Sequence, residues 1–297
     1  MSFLNPVNEP VKRFSSTDAS APQINYNVRV AGDVKAVLKA CLVTGYGAKA
    51  SAGWSIVNEV DNVAEFVSPS AAMSDYRLGI DDTSTSTTTW YYQYQNTRVN
   101  PASNTPKKSI AQINKTHADN GWQLLVTQRG IYLIEMFFST LAQALSTRVT
   151  YWGQVKTSVT EIAHNISFWN EGHDAADFSY NIHKSVKWYK FDNHVFSKWF
   201  AASPFFAIDI TEYNADQAVI DLQSPIYLTS SSGVILGQQS GVLFNTINKS
   251  TDMFGVRDIT INSRVMLHVC LGYQGSTASR IYAGSRNILI YLDYWEY

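Results

Sequence analysis

Charged residues are scarce in this chain of 297 residues, where Asp, Glu, Lys and Arg together make up 16%. Soluble domains average about a quarter, so the surface must be covered by uncharged polar side chains or buried against other chains. The net charge is -1, the pI is near 6.6, and no long run of Lys or Arg occurs. A protein whose main ligand is nucleic acid usually carries a basic face, so this class is disfavoured. A net charge this close to zero also does little to keep a protein monomeric.

Cysteines and long apolar runs are also few. The two cysteines, Cys41 and Cys270, lie far apart among apolar neighbours, which indicates buried thiols in a reducing compartment. The first residues, MSFLNPVNEPVKRFSS, contain no apolar core of a signal peptide. No apolar run approaches the roughly 18 residues of a membrane span. We therefore expect a protein that is made in a cytoplasm and has no membrane among its partners.

The N-terminal residues have the composition of an arm. Pro6, Pro10 and Pro22 interrupt this region, and the stretch FSSTDASAPQ is small and polar, as in a linker. Such a segment cannot by itself bury enough apolar surface to offset its ordering entropy. We predict an extended arm at 1–28, held by a neighbouring subunit, and a body at 29–297. Within the body, residues 158–203 fit either strands with turns or a helix and form a possible sub-region.

One amphipathic helix is predicted directly after the arm. Gly32 and Asp33 open it, with Asp33 as the N-cap, and Gly45 suits a left-handed stop at its end. The apolar residues fall at i, i+3, i+4, i+7 and i+8, which makes one stripe: Val34, Val37, Leu38, Cys41 and Leu42. Cys41 therefore belongs to the predicted core and is not a candidate nucleophile.

The stretch TGYGAKASAGW, which follows this helix, is rich in glycine and contains one lysine. A phosphate-binding Walker loop needs a strand before it, a helix after it and the order Gly-x-x-x-x-Gly-Lys-Ser/Thr. Here the helix comes first, a predicted strand follows, and Lys49 is separated from Gly47 by one residue. The stretch also lacks the dinucleotide fingerprint. We interpret it as a structural connection that presents Lys49 at the tip of a loop.

From Trp54 onward the pattern is predominantly that of β-strands. Strands are predicted in WSIVNEVDNVAEFV, YRLGI and WYYQYQ, and GWQLLVTQRGIYLIEMFF predicts a hairpin that turns at 128–130. The stretch RVTYWGQVKT predicts a strand with a bulge at Gly153. NTRVNPASNTPKKS is predicted as a polar loop, and LAQALST as a short helical or irregular connection.

The C-terminal third continues the β pattern, in FFAIDITEY, QAVIDLQSPIYL, GVILGQQSGVLF and RDITINSRVMLHVCLGY. The last residues, NILIYLDYWEY, are apolar on both faces, as in a strand tucked into a sheet. Strands this frequent, with turn signals between them, predict a mainly β fold. We expect a β-sandwich or barrel-like body with one or two short helices and an extended N-terminal arm.

The residues that could carry chemistry do not form a known motif. Hard metal ligands cluster in NEGHDAAD, at Glu171, His173, Asp174 and Asp177, but their spacing matches no known metal loop, and a polar turn is favoured. Asp81 and Asp82 are adjacent, so on a strand they would point to opposite faces, and a turn is favoured there too. No Gly-x-Ser-x-Gly elbow occurs. We assign no catalytic, metal-binding or cofactor-binding residue and expect a protein that is not an enzyme.

Several stretches together resemble a known group of proteins. ACLVTGYGAKASAGW ends a helix, EFVSPSAAMSDYRLGIDD follows, and GWQLLVTQRGIYLIE leads later to YWGQV. Over roughly residues 29–157 this is similar to a group of tailed-bacteriophage virion proteins with a Gly-Tyr-Gly-x-Lys-x-x-x-Gly-Trp turn after an N-terminal helix. The resemblance implies a virion protein of the neck or tail, made in the host bacterial cytoplasm. Its partners would be copies of itself and other virion proteins.

Three functions follow as hypotheses. The first is a non-enzymatic structural subunit of the phage neck or collar at the head–tail junction, forming an oligomeric ring. The arm at 1–28 and Tyr46, Lys49 and Trp54 are then its predicted inter-subunit contacts, although Trp54 fits a core anchor equally well. The second is a baseplate or tail-fibre component that binds carbohydrate or a receptor. The third is a glycan or cell-wall hydrolase, and the acidic cluster at 171–177 is the only sequence feature that favours it.

Overall fold

The structure is a computed structural model. It describes residues 6–24, 30–84, 91–99, 106–114, 121–139, 144–157, 166–172, 188–192, 195–197, 202–203, 223–229, 235–245, 256–270 and 287–297. Within the described part, no helix is both long and apolar enough to cross a membrane.

The described elements are mostly short strands. The one α-helix, α1 (Asp33–Lys39), continues as a π-helical turn (Ala40–Thr44), and a 3-10 turn spans Ala71–Met73. The strands are β1 (Asn8–Pro10), β2 (Lys12–Ser15), β3 (Ser55–Val60), β4 (Val63–Val67), β5 (Tyr76–Asp81), β6 (Tyr91–Val99), β7 (Pro106–Asn114), β8 (Gly121–Val126), β9 (Gly130–Ser139), β10 (Ala144–Gln154), β11 (Lys156–Thr157), β12 (Ile166–Gly172), β13 (Trp188–Asp192), β14 (Val195–Ser197), β15 (Ala202–Ser203), β16 (Gln223–Thr229), β17 (Ile235–Asn245), β18 (Val256–Ile261), β19 (Arg264–Cys270), β20 (Asn287–Tyr291) and β21 (Tyr294–Glu296).

These strands form four antiparallel sheets. The helix-side sheet has the order β3-β4-β5-β6-β7, and the central sheet has the order β14-β13-β12-β10-β9-β8-β2. The C-terminal sheet has the order β15-β16-β17-β20-β19-β18, with β11 paired to β17, and the terminal ribbon joins β1 to β21. The prediction of a mainly β fold is confirmed. Among the described strands no sheet closes into a barrel.

Strands β8, β9 and β10 of the central sheet contribute buried side chains on both faces. One face packs with helix α1 and the helix-side sheet into a single cluster, which includes Leu38 from the helix, Phe66 and Leu78 from β4 and β5, and Leu124 and Leu133 from β8 and β9. The predicted apolar stripe of the helix lies in this cluster, with each of its side chains fully buried: Val34, Val37, Leu38, Cys41 and Leu42. Burial raises the pKa of the Cys41 thiol, so it stays protonated at neutral pH.

The opposite face of the central sheet packs with the C-terminal sheet and the terminal ribbon. This second cluster contains Tyr132 and Tyr151 from β9 and β10, Ile290 from β20, and Trp295 and Tyr297 from the ribbon and its end. Because strand side chains alternate between faces, Ile131 and Leu133 point to the helix and Tyr132 and Ile134 point away from it. Strand β9 therefore contributes side chains to both hydrophobic clusters.

The predicted ends of helix α1 need two corrections. The N-cap is Gly32, with a left-handed φ of 87°, and Asp33 is already the first helical residue. Asp82 takes its place: its Oδ2 accepts the backbone N–H groups of Val34 at 2.9 Å and Lys35 at 3.4 Å. These are the second and third helical residues, whose N–H groups lack partners within the helix. At the other end Gly45 has φ 75° but ψ 176°, so the predicted left-handed helical stop is wrong although a positive φ is required.

The predicted arm is part of the body wherever it is described. Strand β1 pairs with β21, and β2 pairs with β8 as the last strand of the central sheet. Phe14 is 1% exposed and Ile24 is 4% exposed, so two apolar anchors bury a segment that is otherwise polar. The polar average composition of the segment did not reveal these two residues. Burial of a single large apolar side chain is enough to favour packing of a short strand on the body.

The strand predictions are confirmed at the hairpins and wrong at two loops. Strands β8 and β9 turn at 128–130, with Thr127 N–H bonded to the Gly130 carbonyl at 2.9 Å. The predicted polar loop at 96–109 is wrong at both ends, since β6 runs to Val99 and β7 begins at Pro106. The connection predicted at 141–147 is strand from Ala144 onward. Gly153 lies in regular register with Gly130 and Ser167, so the predicted bulge is absent there.

Region 158–203 has strands where it is described, which favours the strand-and-turn alternative over the helix. Strands β12, β13 and β14 continue the central sheet outward from β10, and β15 begins the C-terminal sheet. The predicted strand FFAIDITEY, at 205–213, lies outside the described residues.

Candidate assembly interface

The glycine-rich loop at 45–54 is a tight structural turn. Tyr46 and Lys49 exchange two backbone hydrogen bonds, of 3.1 and 2.8 Å. A Cβ on Gly45 would lie 2.6 Å from the Lys49 carbonyl oxygen, and one on Gly47 would lie 2.7 Å from the Ala19 carbonyl oxygen. Both glycines also have positive φ, of 75° and 53°. The loop therefore needs glycine both to turn and to let residues 6–24 pass close to its backbone.

Tyr46 and Lys49 both bind one carboxylate of the N-terminal segment. Asp18 Oδ2 accepts from Lys49 Nζ at 2.6 Å, from the Tyr46 hydroxyl at 2.7 Å and from the Ser15 N–H at 2.8 Å. The Lys49 ammonium also lies 5.5 Å from the centre of the Phe14 ring. Lys49 thus has a carboxylate partner within its own chain, and contact of Tyr46 and Lys49 with another subunit stays a prediction.

The electrostatics of this joint follow from its hydrogen bonds. Burial by itself raises the pKa of Asp18, but the hydrogen bonds from Lys49, Tyr46 and Ser15 and the charge of Lys49 together lower that pKa below its ordinary value. Burial and the hydrogen bond to Asp18 raise the pKa of Tyr46, so its phenol stays protonated as a donor. We call this group of residues, Phe14, Asp18, Tyr46 and Lys49, the arm joint.

Trp54, the third predicted interface residue, lies in the core. It is 3% exposed, and its indole N–H donates to the Thr127 carbonyl at 3.2 Å. Its ring meets Trp152 edge-on, with centroids 5.7 Å apart. Its backbone N–H binds the Leu42 carbonyl at 2.9 Å, which ties the end of the loop to the end of the helix. This position is that of the core anchor foreseen as the alternative.

A second polar joint holds the terminal ribbon on the body. Arg129, in the β8–β9 turn, donates from Nε to Glu9 Oε1 at 2.6 Å and from Nη1 to Gln154 at 3.3 Å. Burial raises the pKa of Glu9 more than the Arg129 charge lowers it. Beside it Lys156 pairs with Glu296 at 2.6 Å. Strand β1 is therefore fixed by one charged contact of its own and by the hydrogen-bond ladder to β21.

The helix-side sheet ends at an exposed apolar edge. Among the described strands β3 pairs only with β4, and five of its six residues are exposed. Val57 is 49% exposed and Val60 is 62% exposed. The register shifts between Ile56 and Asn58, so Val57 occupies a bulge. The sequence does contain a signal for this strand, because its valines are interspersed with polar residues. Such a pattern predicts a strand but does not distinguish an edge strand from a central one.

The inner cluster of tyrosines is held by specific hydrogen bonds. The Tyr132 hydroxyl donates to the Ser240 carbonyl at 2.7 Å and accepts from Gln239 Nε2 at 3.1 Å. Tyr151 donates to the Gln154 carbonyl at 2.5 Å. Burial raises the pKa of Tyr132 and Tyr151 well above the ordinary value, so these phenols do not ionise near neutral pH. Their arrangement suits packing of two sheets and not proton abstraction.

One of the four candidate metal ligands lies among the described residues. Glu171 lies in β12, while His173, Asp174 and Asp177 lie outside the described residues. Within the part of the chain that is described, no three His, Cys, Asp or Glu side chains come together as a metal site. Asp82 caps helix α1, whereas the Asp81 carboxylate accepts from the Thr83 hydroxyl at 2.7 Å. Burial, with the nearby Arg257 charge, lowers the pKa of His268 to about 4, which keeps it neutral.

Comparison with known proteins gives no relative. No protein-family model matches the chain, and neither a curated protein nor a solved structure matches it significantly. The function has to be inferred from the residues and their contacts.

Proposed function

We propose that this chain is a non-enzymatic structural subunit of a tailed-bacteriophage virion, placed in the neck or collar at the head–tail junction. Copies of it assemble into a ring through their surfaces and contact other virion proteins. The exposed apolar edge of β3 is the observation that carries the assembly part of this proposal. The resemblance of the 45–54 turn to the turn of phage virion proteins supplies the virion part.

An edge strand presents unpaired backbone N–H and C=O groups that can pair with another chain. Proteins usually protect such edges with charged side chains, proline, a bulge or a covering element, and β3 has a bulge at Val57. It nevertheless carries Val57 and Val60, which have the largest exposed fractions among the described large apolar side chains. Its acidic residue, Glu59, is already paired with Lys35 at 2.7 Å and Lys39 at 2.9 Å on helix α1. The edge thus combines two exposed valines with a carboxylate whose charge is already paired, which suits burial against a neighbour.

The residues of the turn motif also support a structural role. Gly45 and Gly47 shape the loop, Lys49 binds the N-terminal segment and Trp54 anchors the core. These four motif residues therefore help to hold the subunit together. Low net charge fits a protein that packs against its own copies.

No observation on the described residues favours the two alternatives. A sugar-binding surface would present aromatic rings for stacking, but the four tryptophans with described side chains are buried: Trp54, Trp122, Trp152 and Trp295. A hydrolase would bring carboxylates together in a cleft, whereas Asp82 caps a helix and Asp18 and Glu9 are ion-pair partners of the N-terminal segment.

The mass of the purified protein in solution, measured by light scattering, tests the proposal. The full chain should form a defined oligomer, visible as rings by negative-stain electron microscopy. Introducing lysine at both exposed positions of β3, V57K with V60K, should shift the mass to that of smaller species. V265K is the matched control, because Val265 is 45% exposed on a different sheet.

Location is tested separately. In particles of a phage that encodes this chain, mass spectrometry should find it in the virion, and antibody-linked gold should label the head–tail junction. A monomer at all concentrations, or label on the tail tip, would overturn the assembly or the neck assignment respectively.

A further inference from the structure

We propose that residues 6–24 are exchanged between copies, so that in the assembled state the segment makes on a neighbouring subunit the contacts that it makes here on its own body. This inference rests on the proposed assembly into oligomers and adds the element that links the subunits.

The segment lies at the edge of the described sheets, where a copy from another chain can replace it without a change in the order of the other strands. Among the described strands, β2 is the outermost strand of the central sheet and pairs only with β8, over four residue pairs. In the same part of the chain β1 pairs only with β21, over three residue pairs. Domain swapping replaces such contacts by identical ones from a second copy, at little cost in contact energy.

The place that the segment occupies cannot stay empty. Trp122 is fully buried, its backbone N–H donates to Ser16 Oγ at 3.0 Å, and its indole N–H donates to the Pro22 carbonyl at 2.9 Å. Phe14 fills the same core cluster as Trp122. Without the segment, β8 would be a bare edge with an exposed tryptophan, a ready template for an added strand. Another copy of the segment is the occupant that matches every one of these contacts.

The ionic contacts make the match selective. Three charged residues of the segment, Glu9, Arg13 and Asp18, each form an ion pair with a residue of opposite charge on the body. The pairs are Glu9–Arg129 at 2.6 Å, Arg13–Asp258 at 2.7 Å and Asp18–Lys49 at 2.6 Å. The alternating signs fix both the direction and the register of the segment. A segment from a second copy meets these requirements, whereas an unrelated peptide does not.

A disulfide test separates contacts within a chain from contacts between chains. Val7 and Tyr297 exchange two backbone hydrogen bonds, so the next pair, Asn8 and Glu296, is a non-hydrogen-bonded pair with closely spaced side chains. That geometry permits a disulfide. One chain carries N8C and a second, with a different affinity tag, carries E296C. The two are co-expressed so that they fold together, and are then oxidised.

Arm exchange predicts a disulfide-linked species of twice the chain mass that contains both tags. Co-expression of N8C with V265C, and each single variant alone, are the controls and should give little of it. A chain with N8C and E296C together must form a disulfide, which proves that the pair is competent. If that chain links only within itself and the co-expressed pair stays unlinked, arm exchange is overturned. Light scattering on the same samples then decides the proposed function independently, since an oligomer without the link leaves it standing.

Discussion

The two faces of the central sheet bury their side chains in different ways. The face toward helix α1 is packed with aliphatic groups, from the helix stripe and from Leu124, Ile131 and Leu133 of the sheet, and with rings that are mostly Trp and Phe, among them Trp122 and Trp152. The face toward the C-terminal sheet also contains aliphatic groups, but three of the four buried rings described in its cluster are tyrosines. Tyr132 lies 4.5 Å from Tyr151 and 5.0 Å from Trp295 between ring centroids. The same three strands, β8, β9 and β10, serve both faces.

The difference shows how much geometric precision each kind of core requires. Apolar contacts are non-directional, so the helix face depends mainly on volume, and on carbonyl partners for the Trp54 and Trp122 indole N–H groups. Each buried phenol needs a partner at hydrogen-bond distance, so the tyrosine face depends on strand register as well. Changes of shape or register should therefore cost more on the tyrosine face, and loss of a polar contact should matter on both.

The largest effect is expected at Gly241, in β17 behind Trp295. Its φ is 73°, and a Cβ there would overlap the Trp295 ring. G241A should lower the free energy of unfolding by about 3 kcal/mol, from backbone strain together with overpacking. Gly53 is the control, since its φ is 85° but nothing lies within 4 Å of its Cβ position. G53A should cost only about 1 kcal/mol. Urea unfolding measures both, and equal losses would refute a tightly packed tyrosine face.

The next effect concerns the cap of helix α1 on the other face. D82A removes the acceptor of the Val34 and Lys35 N–H groups in a fully buried position. A loss of about 2 kcal/mol in the free energy of unfolding is expected. D82N keeps an oxygen acceptor and should recover most of the loss. Amide hydrogen exchange should accelerate at Val34 and Lys35 in D82A, and unchanged exchange there would show that Asp82 does not cap the helix.

A smaller effect is expected for a single hydroxyl on the tyrosine face. Y132F leaves the Ser240 carbonyl and Gln239 Nε2 without their shared partner, while the ring volume stays the same. This should cost about 1.5 kcal/mol. Y294F is the control, because Tyr294 is partly exposed and should change stability by less than about 0.5 kcal/mol. A loss in Y132F no larger than in Y294F would mean that the aromatic face is held by ring packing alone.

The smallest effect, and the only one that depends on pH, lies at the arm joint. The folded-state pKa of Asp18 is lowered, so its charge stabilises the fold at pH values above the unfolded pKa, ordinarily 3.8. This contribution is lost as the pH falls through the folded pKa. D18N should therefore cost about 1 kcal/mol at pH 7 and progressively less below about pH 4.

A double-mutant cycle with K49M identifies the partner of Asp18. If Lys49 supplies the main interaction, D18N should cost clearly less in the K49M background at pH 7. A difference between wild type and D18N that does not change with pH would argue against the ion pair.

Local patterns predicted the elements of the fold and missed the contacts that join them. The helix stripe and the β8–β9 hairpin depend on residues close together in the sequence, and both were predicted. The cap of the helix lies 48 residues from the N–H group that it accepts, and Asp18 lies 31 residues from Lys49. No periodicity connects such positions, so the cap was assigned to Asp33 and Lys49 was placed at a free loop tip.

Polar composition caused the other errors. Residues 96–109 contain asparagine, proline and lysine, which are depleted in strands, yet both ends belong to the β6–β7 pair. Pairing with a neighbouring strand overrides weak local preference. Likewise the glycine pattern located the site at Tyr46 and Lys49. The segment 6–24, which binds this site, has a polar average composition, and for that reason it was predicted to be an arm separate from the body.

The ribbon of β1 and β21 also sets the order of events during synthesis. The first described strand pairs with the last, so the contact joins residues separated by nearly the whole chain. Trp295 and Tyr297 complete the tyrosine-lined core, and that core cannot close until they have left the ribosome. During this interval β1 has no partner within its own chain. On a polysome crowded with sister chains, this delay gives a neighbouring copy the time to capture the segment.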